Sequence, residues 1–180
     1  MSTLNHQFII YACPVGKLNV QLEHYLNRSR ELCGENAAHK YMPHCSLTGF
    51  FTAELDSIPV YLEVLDKAYN KAENRQESLD IAIKQLTFKE NWHGLELQSD
   101  RLKKLIADFA GAKTVADRVE KLRLKDWLHL SLAYDFDPKY GKKLQELATA
   151  TIDLKADVNW ELRFYQKNPD WSWKCLKHWS

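Results

Sequence analysis

The chain has 180 residues, 45% of them hydrophobic and 27% charged, and 25 basic against 24 acidic residues leave a net charge of +1. That length suits one domain over residues 1–180, or two small halves sharing a core. The near-zero charge argues against the broad basic surface by which proteins hold long duplexes, although a small phosphate ligand needs none.

No stretch approaches a membrane span, and the start, MSTLNHQFIIYAC, lacks the basic segment and apolar run of a signal peptide. The cysteines, Cys13, Cys33, Cys45 and Cys175, show neither CxxC pairs nor zinc-like spacing. A cytoplasmic protein with reduced thiols is the expectation, with Cys13 and Cys45 as small buried hydrophobes.

In chain order, FIIYAC (8–13) reads as a buried strand that stops at Pro14. From Lys17 the apolar positions Leu18, Leu22, Tyr25 and Leu26, with Ser29, recur at helical spacing until Gly34. A polar loop leads through Pro43 to a strand HCSLTGFF. A helix is expected from about Ser57 to Arg75, with Val60, Val64, Leu65 and Ala68 on one face. LDIAIKQLTF and WHGLELQ read as strands around the turn KEN. Ser99 caps a helix whose buried side is Leu102, Leu105, Ile106 and Phe109, closed by Gly111. AKTVADRVEK is a polar, partly helical connection to the strand of DWLHLSLAYDF. Pro138 opens another helix through Leu144 and Leu147. VNWELRFYQ and SWKCLKHW are the closing strands, separated by KNPD.

The order strand, helix, HCSL strand, helix, strand in the first part is repeated as strand, helix, HLSL strand, helix, strand in the second. DIAIKQLTFKEN even matches DVNWELRFYQKN. Two copies of one α/β lobe, placed side by side around a cleft, are expected.

Residues 44–47 (HCSL) and 129–132 (HLSL) lie 85 positions apart, 129 minus 44, so local structure does not explain their likeness. In a strand, alternate side chains share a face. His44 and Ser46 therefore leave their lobe on one side while Cys45 and Leu47 enter its core. His129 and Ser131 do the same opposite Leu130 and Leu132. A lone strand histidine is ordinarily structural, but two in matching places of a duplication point to a shared cleft. Two facing imidazoles suit a phosphodiester, where displacement at phosphorus needs a base on one side and an acid on the other. Histidine's ordinary pKa of about 6.5 allows one neutral and one protonated copy near neutrality. The serine hydroxyls can donate to the non-bridging oxygens. No metal and no cofactor are then needed.

These motifs resemble the signature of the two-histidine (2H) phosphoesterase superfamily. Within it, FIIYACPVG, PHCSLTGFFT and LHLSLAYDF are most similar to the phosphoesterase domain of the TULA/Sts proteins, which also carry ubiquitin-associated and SH3 domains. The resemblance implies a bilobal α/β (α+β) fold of antiparallel or mixed sheet, with outer helices around a central cleft. It implies His44 and His129 as the acid/base pair and Ser46 and Ser131 as phosphate ligands. It also implies action on 2′,3′-cyclic phosphates, RNA ends, or cyclic and 2′-5′-linked oligonucleotides without metal. The ubiquitin-associated, SH3 and histidine-phosphatase parts are not expected here, so ubiquitin binding and tyrosine dephosphorylation are not carried over.

Tyr11, whose counterpart region lines the cleft in that family, is a candidate to stack on a base. Trp127 shares the parity of His129, although packing in the core is the commoner role for tryptophan. Tyr134 has the parity of the buried leucines and is read as structural. Lys121, Arg123 and Lys125 alternate toward His129 and are read chiefly as a solvated strand edge, with phosphate contact as the second possibility. Trp160, Trp171, Trp173 and Trp179 are expected mostly to cover the second lobe. His6, His24, His39, His93 and His178 have no partner motif.

The leading expectation is a metal-independent phosphodiesterase acting on a cyclic nucleotide, a cyclic oligonucleotide or a 2′,3′-cyclic phosphate. His129 is taken as the base and His44 as the acid. The partner expected is a nucleotide or short oligonucleotide, with no membrane and no protein partner. RNA-end processing or ligation, and a non-catalytic nucleotide-binding module, are the alternatives.

Overall fold

The computed structural model describes residues 6–71, 79–119 and 122–180. Strand β1 (His6–Val15) is buried on both faces, which is why its sequence reads as an almost unbroken apolar run. Phe8, Ile10 and Ala12 join the main core beneath the helices, while Ile9, Tyr11 and Cys13 pack with Tyr165 on the other face. Gly16, at φ +92°, makes the turn into helix α1 (Lys17–Cys33), which buries Leu18, Leu22, Tyr25 and Ser29.

The expected strand HCSLTGFF divides into β2 (Cys45–Ser46) and β3 (Phe51–Ala53), both paired with β1. Between them the register slips, and the Thr48 hydroxyl takes the Ile10 N–H at 3.3 Å in place of a backbone carbonyl. Helix α2 (Ile58–Asn70) buries Tyr61, Leu65 and Ala68; Val60 and Val64 lie at its half-buried margin. The last part of the expected helix, 72–75, lies outside the described residues.

Strands β4 (Ala82–Phe88) and β5 (Trp92–Gln98) form a hairpin closed by the Lys89 N–H to Trp92 carbonyl bond at 2.8 Å. Helix α3 (Asp100–Gly111) starts where the Ser99 hydroxyl caps the Leu102 N–H at 3.1 Å, and α4 (Lys113–Ala116) is a single turn. Strand β6 (His129–Tyr134) follows, then α5 (Gly141–Thr151), entered through a 3₁₀ turn at Pro138–Tyr140. Strands β7 (Asn159–Lys167) and β8 (Trp173–Trp179) complete the chain.

Among the described residues all strands join one antiparallel sheet in the order β4-β5-β6-β2-β1-β7-β8, with β3 beside β1. The order is nearly symmetric about the contact between β6 and β2, which are the two histidine strands. The two sequence copies, β1-α1-β2-α2-β4 and β5-α3-β6-α5-β7, superimpose on this symmetry, but each gives its last strand to the other half. The short β4–β5 turn is the reason: strands joined so tightly must pair with each other. β4 therefore extends the second copy, and β7 fills the equivalent place beside β1. The two halves thus exchange their last strands across the sheet. On one face of the sheet α1 packs against α5 and α2 against α3. The other face carries the site.

Candidate active site

Cys45 pairs with Leu130 across the β2–β6 contact, and both side chains go into the core. Strand alternation sends the flanking residues to the opposite face. The antiparallel register brings His44 across from Ser131 and Ser46 across from His129. Each imidazole thus has the other half's hydroxyl beside it, and the two histidines occupy a diagonal, about 7 Å apart at Cβ. They line a cavity of about 320 Å³ together with Tyr11, Ser46 and Ser131. All five residues nominated from the sequence meet there.

Both imidazoles are anchored in the same way. Nδ1 of His44 is 2.7 Å from the Met42 carbonyl, and Nδ1 of His129 is 3.0 Å from the Trp127 carbonyl. A carbonyl only accepts, so in each case Nδ1 carries the hydrogen. Nε2 is left as the nitrogen for proton exchange.

Their surroundings differ. His44 lies against Tyr11 (ring centroids 4.0 Å) and beside Tyr41 (5.4 Å). His129 stacks on Trp127 (4.0 Å, 28°) and meets the edge of Trp92 (5.4 Å, 87°). The pairings Tyr11↔Ser46 and Gly94↔Ser131 make Gly94 the counterpart of Tyr11. A Cβ at Gly94 would come within 2.3 Å of the Trp92 ring and 2.4 Å of the Leu130 carbonyl. Glycine there lets the indole fold inward, where its Nε1–H donates to Ser131 Oγ at 2.9 Å. Ser131 Oγ accepts that bond and keeps its own hydroxyl hydrogen to donate to a ligand.

The charges on the cavity wall are cationic, from Arg123 and Lys125, and Lys89 sits 4.5 Å above Trp127. Burial pushes the His44 pKa down to about 4, against the pull of the Met42 carbonyl. Burial also lowers His129, though less far; the Trp127 carbonyl opposes it, Lys125 and Lys89 lower it further, and Glu96 raises it. Burial, helped by Arg123, lowers Lys125. Tyr134 is pushed up to about 12 by burial and by neighbouring Tyr41. Among the described residues no group of three or more His, Cys, Asp or Glu side chains is arranged to hold a metal ion, and no helix is long and apolar enough to cross a membrane.

Several expectations change. Tyr11 is 1% exposed with one ring face against His44, so it supports the imidazole and is not open to a base. Trp127 is not a core residue but stands exposed beside His129. Tyr134 lines the cavity rather than the core. The pairings His93↔Ala133 and Gly94↔Ser131 leave Leu132 as an extra residue, and this bulge reverses the alternation after Ser131. Arg123 and Lys125 also line the cavity: the Gly49 N–H to Arg123 carbonyl and Lys125 N–H to Leu47 carbonyl bonds draw this segment alongside 47–49. Lys121 lies outside the described residues. Trp160 and Trp179 are buried in the core, whereas Trp171 and Trp173 stand near His44 with Tyr41. Tyr41 and Trp92 were missed; no motif marks them, only their places beside the histidine strands.

Paired H-x-S strands at the centre of a pseudo-symmetric antiparallel sheet are the arrangement that the resemblance to the two-histidine phosphoesterases implies. No family model matches the chain. It is 29% identical over 168 residues to the ubiquitin-associated and SH3 domain-containing protein B of Homo sapiens, covering 92% of this chain and 25% of that protein. It is also 29% identical over 201 residues to the ecdysteroid-phosphate phosphatase of Drosophila melanogaster, covering 91% and 26%. The chain therefore spans about a quarter of the length of these relatives. The crystal structure of LigT from E. coli in its apo form shares the fold, with TM-score 0.54, 12% identity and coverage of 97% and 96%. The chain is thus similar to one segment of the ubiquitin-associated and SH3 domain-containing proteins and of ecdysteroid-phosphate phosphatase, and it shares the fold of LigT.

Proposed function

We propose that this chain is a metal-independent phosphodiesterase acting on a nucleotide diester. The observation that supports this most is the diagonal pair of histidines, each with Nδ1 bonded to a carbonyl and Nε2 left for proton exchange, above two hydroxyls. One imidazole takes a proton from the attacking water as the P–O bond forms. The other gives its proton to the leaving oxygen as the opposite P–O bond breaks. Each transfer is worth about 10²–10⁴-fold. Ser46 and Ser131 donate to the non-bridging oxygens, with Lys125 and Arg123 balancing their charge.

Burial favours the reverse of the sequence-based assignment of roles. His44, with its pKa held near 4, is neutral over the physiological range and serves as the base. His129, lowered less far and facing the Glu96 carboxylate, is more readily protonated and serves as the acid.

The test is a product assay with EDTA present, using 2′,3′-cyclic mononucleotides, cyclic dinucleotides, 2′-5′ oligoadenylates and a phosphate monoester. Turnover of a diester with EDTA, lost in His129→Ala, is the expected result. Turnover only with added metal, or of the monoester alone, would overturn it.

A further inference from the structure

The β7–β8 hairpin turns through Asn168-Pro169-Asp170-Trp171. The Trp171 N–H donates to the Asn168 carbonyl at 3.0 Å, and the Asn168 N–H donates to the Ser172 carbonyl at 2.9 Å. Asp170 Oδ1 accepts both the N–H and the hydroxyl of Ser172, at 2.9 and 2.6 Å. Asn and Pro suit the first two places of such a turn, and the residue that then enters the left-handed region is ordinarily glycine. Here it is Trp171, at φ +64°. That conformation is unfavourable for any residue with a Cβ, and core burial does not offset it, since Trp171 is 47% exposed.

What the turn achieves is placement. Trp171 stands edge-on to Tyr41 (6.2 Å, 81°), which neighbours His44. Lys167 Nζ lies 3.7 Å from the Trp171 ring centre and 5.5 Å from that of Phe50, and Lys40 Nζ lies 5.4 Å from Trp171. Phe50, 40% exposed, stacks against Trp173 (5.9 Å, 26°) and lines the cavity. An aromatic shelf bearing two ammonium groups thus leads out from the His44 end. Beyond His129, toward β5, Trp127 is 42% exposed under Lys89. The strand order puts these surfaces on opposite sides of the histidine pair. Exposed aromatic faces with lysines beside them are the elements that hold bases and phosphates of single-stranded nucleotides.

We propose that the substrate carries a nucleobase on each side of the scissile phosphate, one on the Trp171–Phe50 shelf and one at Trp127. The site then takes a dinucleotide-sized diester, linear or cyclic, in preference to a 2′,3′-cyclic mononucleotide. This rests on the diester reading above and narrows its substrate class.

The test compares 2′-5′ ApA, 3′-5′ ApA and cyclic di-adenylate with adenosine 2′,3′-cyclic phosphate, in wild type and Trp171→Gly. Wild-type kcat/KM is expected to be highest for a dinucleotide, and Trp171→Gly to lower it about tenfold relative to the cyclic mononucleotide, within the range for one stacked base. Glycine suits the turn, so the variant's Tm is expected within about 2 °C of wild type. In parallel, a hydrolysis-resistant phosphorothioate dinucleotide is titrated against tryptophan fluorescence, with Kd about tenfold weaker in the variant. Equal effects of Trp171→Gly on both substrate classes, or a wild-type preference for the cyclic mononucleotide, would overturn the shelf and leave the diester reading standing. Shelf-dependent binding without turnover of any diester would keep the shelf and overturn the diester reading.

Discussion

His44 is set between two tyrosines and its pKa is driven to about 4, whereas His129 is set against two tryptophans with a carboxylate in range and is lowered less. The backbone treats them alike, since each Nδ1–H meets the carbonyl two residues earlier. The two halves therefore share tautomer and orientation, while their neighbouring rings make the two sites unequal. A displacement at phosphorus needs that combination: two nitrogens in equivalent places, one holding a proton and one not.

The largest way to break the comparison is to remove either imidazole. His44→Ala and His129→Ala should each lower kcat by about 10²–10⁴-fold, with the double variant little worse than either, since the pair acts as one unit. Single-turnover assays on the diester that the screen identifies would check this, and full activity in either single variant would end the paired reading.

The next effect is on stability. Folded His44 takes its proton only near pH 4, while an unfolded histidine takes it near 6.5. The unfolded chain therefore binds the proton first as pH falls. The contribution is complete above about pH 6.5 and is lost on the way down to 4, amounting to about 3 kcal/mol at most. Urea denaturation from pH 7 to 4 should lose part of its slope in His44→Gln and less of it in His129→Gln. Equal losses would erase the difference between the two sites.

Ser46→Ala and Ser131→Ala should each reduce kcat/KM by about 10–100-fold, the value of a hydrogen bond to a charged group. Adding Trp92→Phe, which removes the indole donor to Ser131, should then matter with Ser131 present and not in its absence.

The smallest expected effect separates Gly94 from Tyr11. Gly94→Ala forces the Trp92 ring and Leu130 backbone apart and should cost about 1–3 kcal/mol in a thermal melt, with a matching loss of activity. A neutral Gly94→Ala would show that the inward fold of Trp92 is not needed.

Much of the architecture was legible in the chain. Apolar period identified the strands and helices, and the repeat pointed to two equivalent histidine strands, because alternation and duplication are local properties of sequence. Tyr134 was misread because one bulge residue, Leu132, reverses the faces of everything after it. Arg123 and Lys125 were underrated because backbone bonds to 47–49, from the other half, bring them to the cavity. His39 shows the opposite case: without a motif it was left unassigned, and it is structural, accepting the Asn36 N–H at Nδ1 and meeting Ser29 Oγ at Nε2.

By itself the sequence determined which side chains are paired, through two tetrapeptides whose alternation separates core from cleft. Only the tertiary structure decided that β4 and β7 trade places, that tyrosines back one histidine and tryptophans the other, and that Trp171 is held in a glycine's conformation at the rim. These depend on residues far apart in the chain, whose distances are set by strand pairing and turn geometry rather than by any local period.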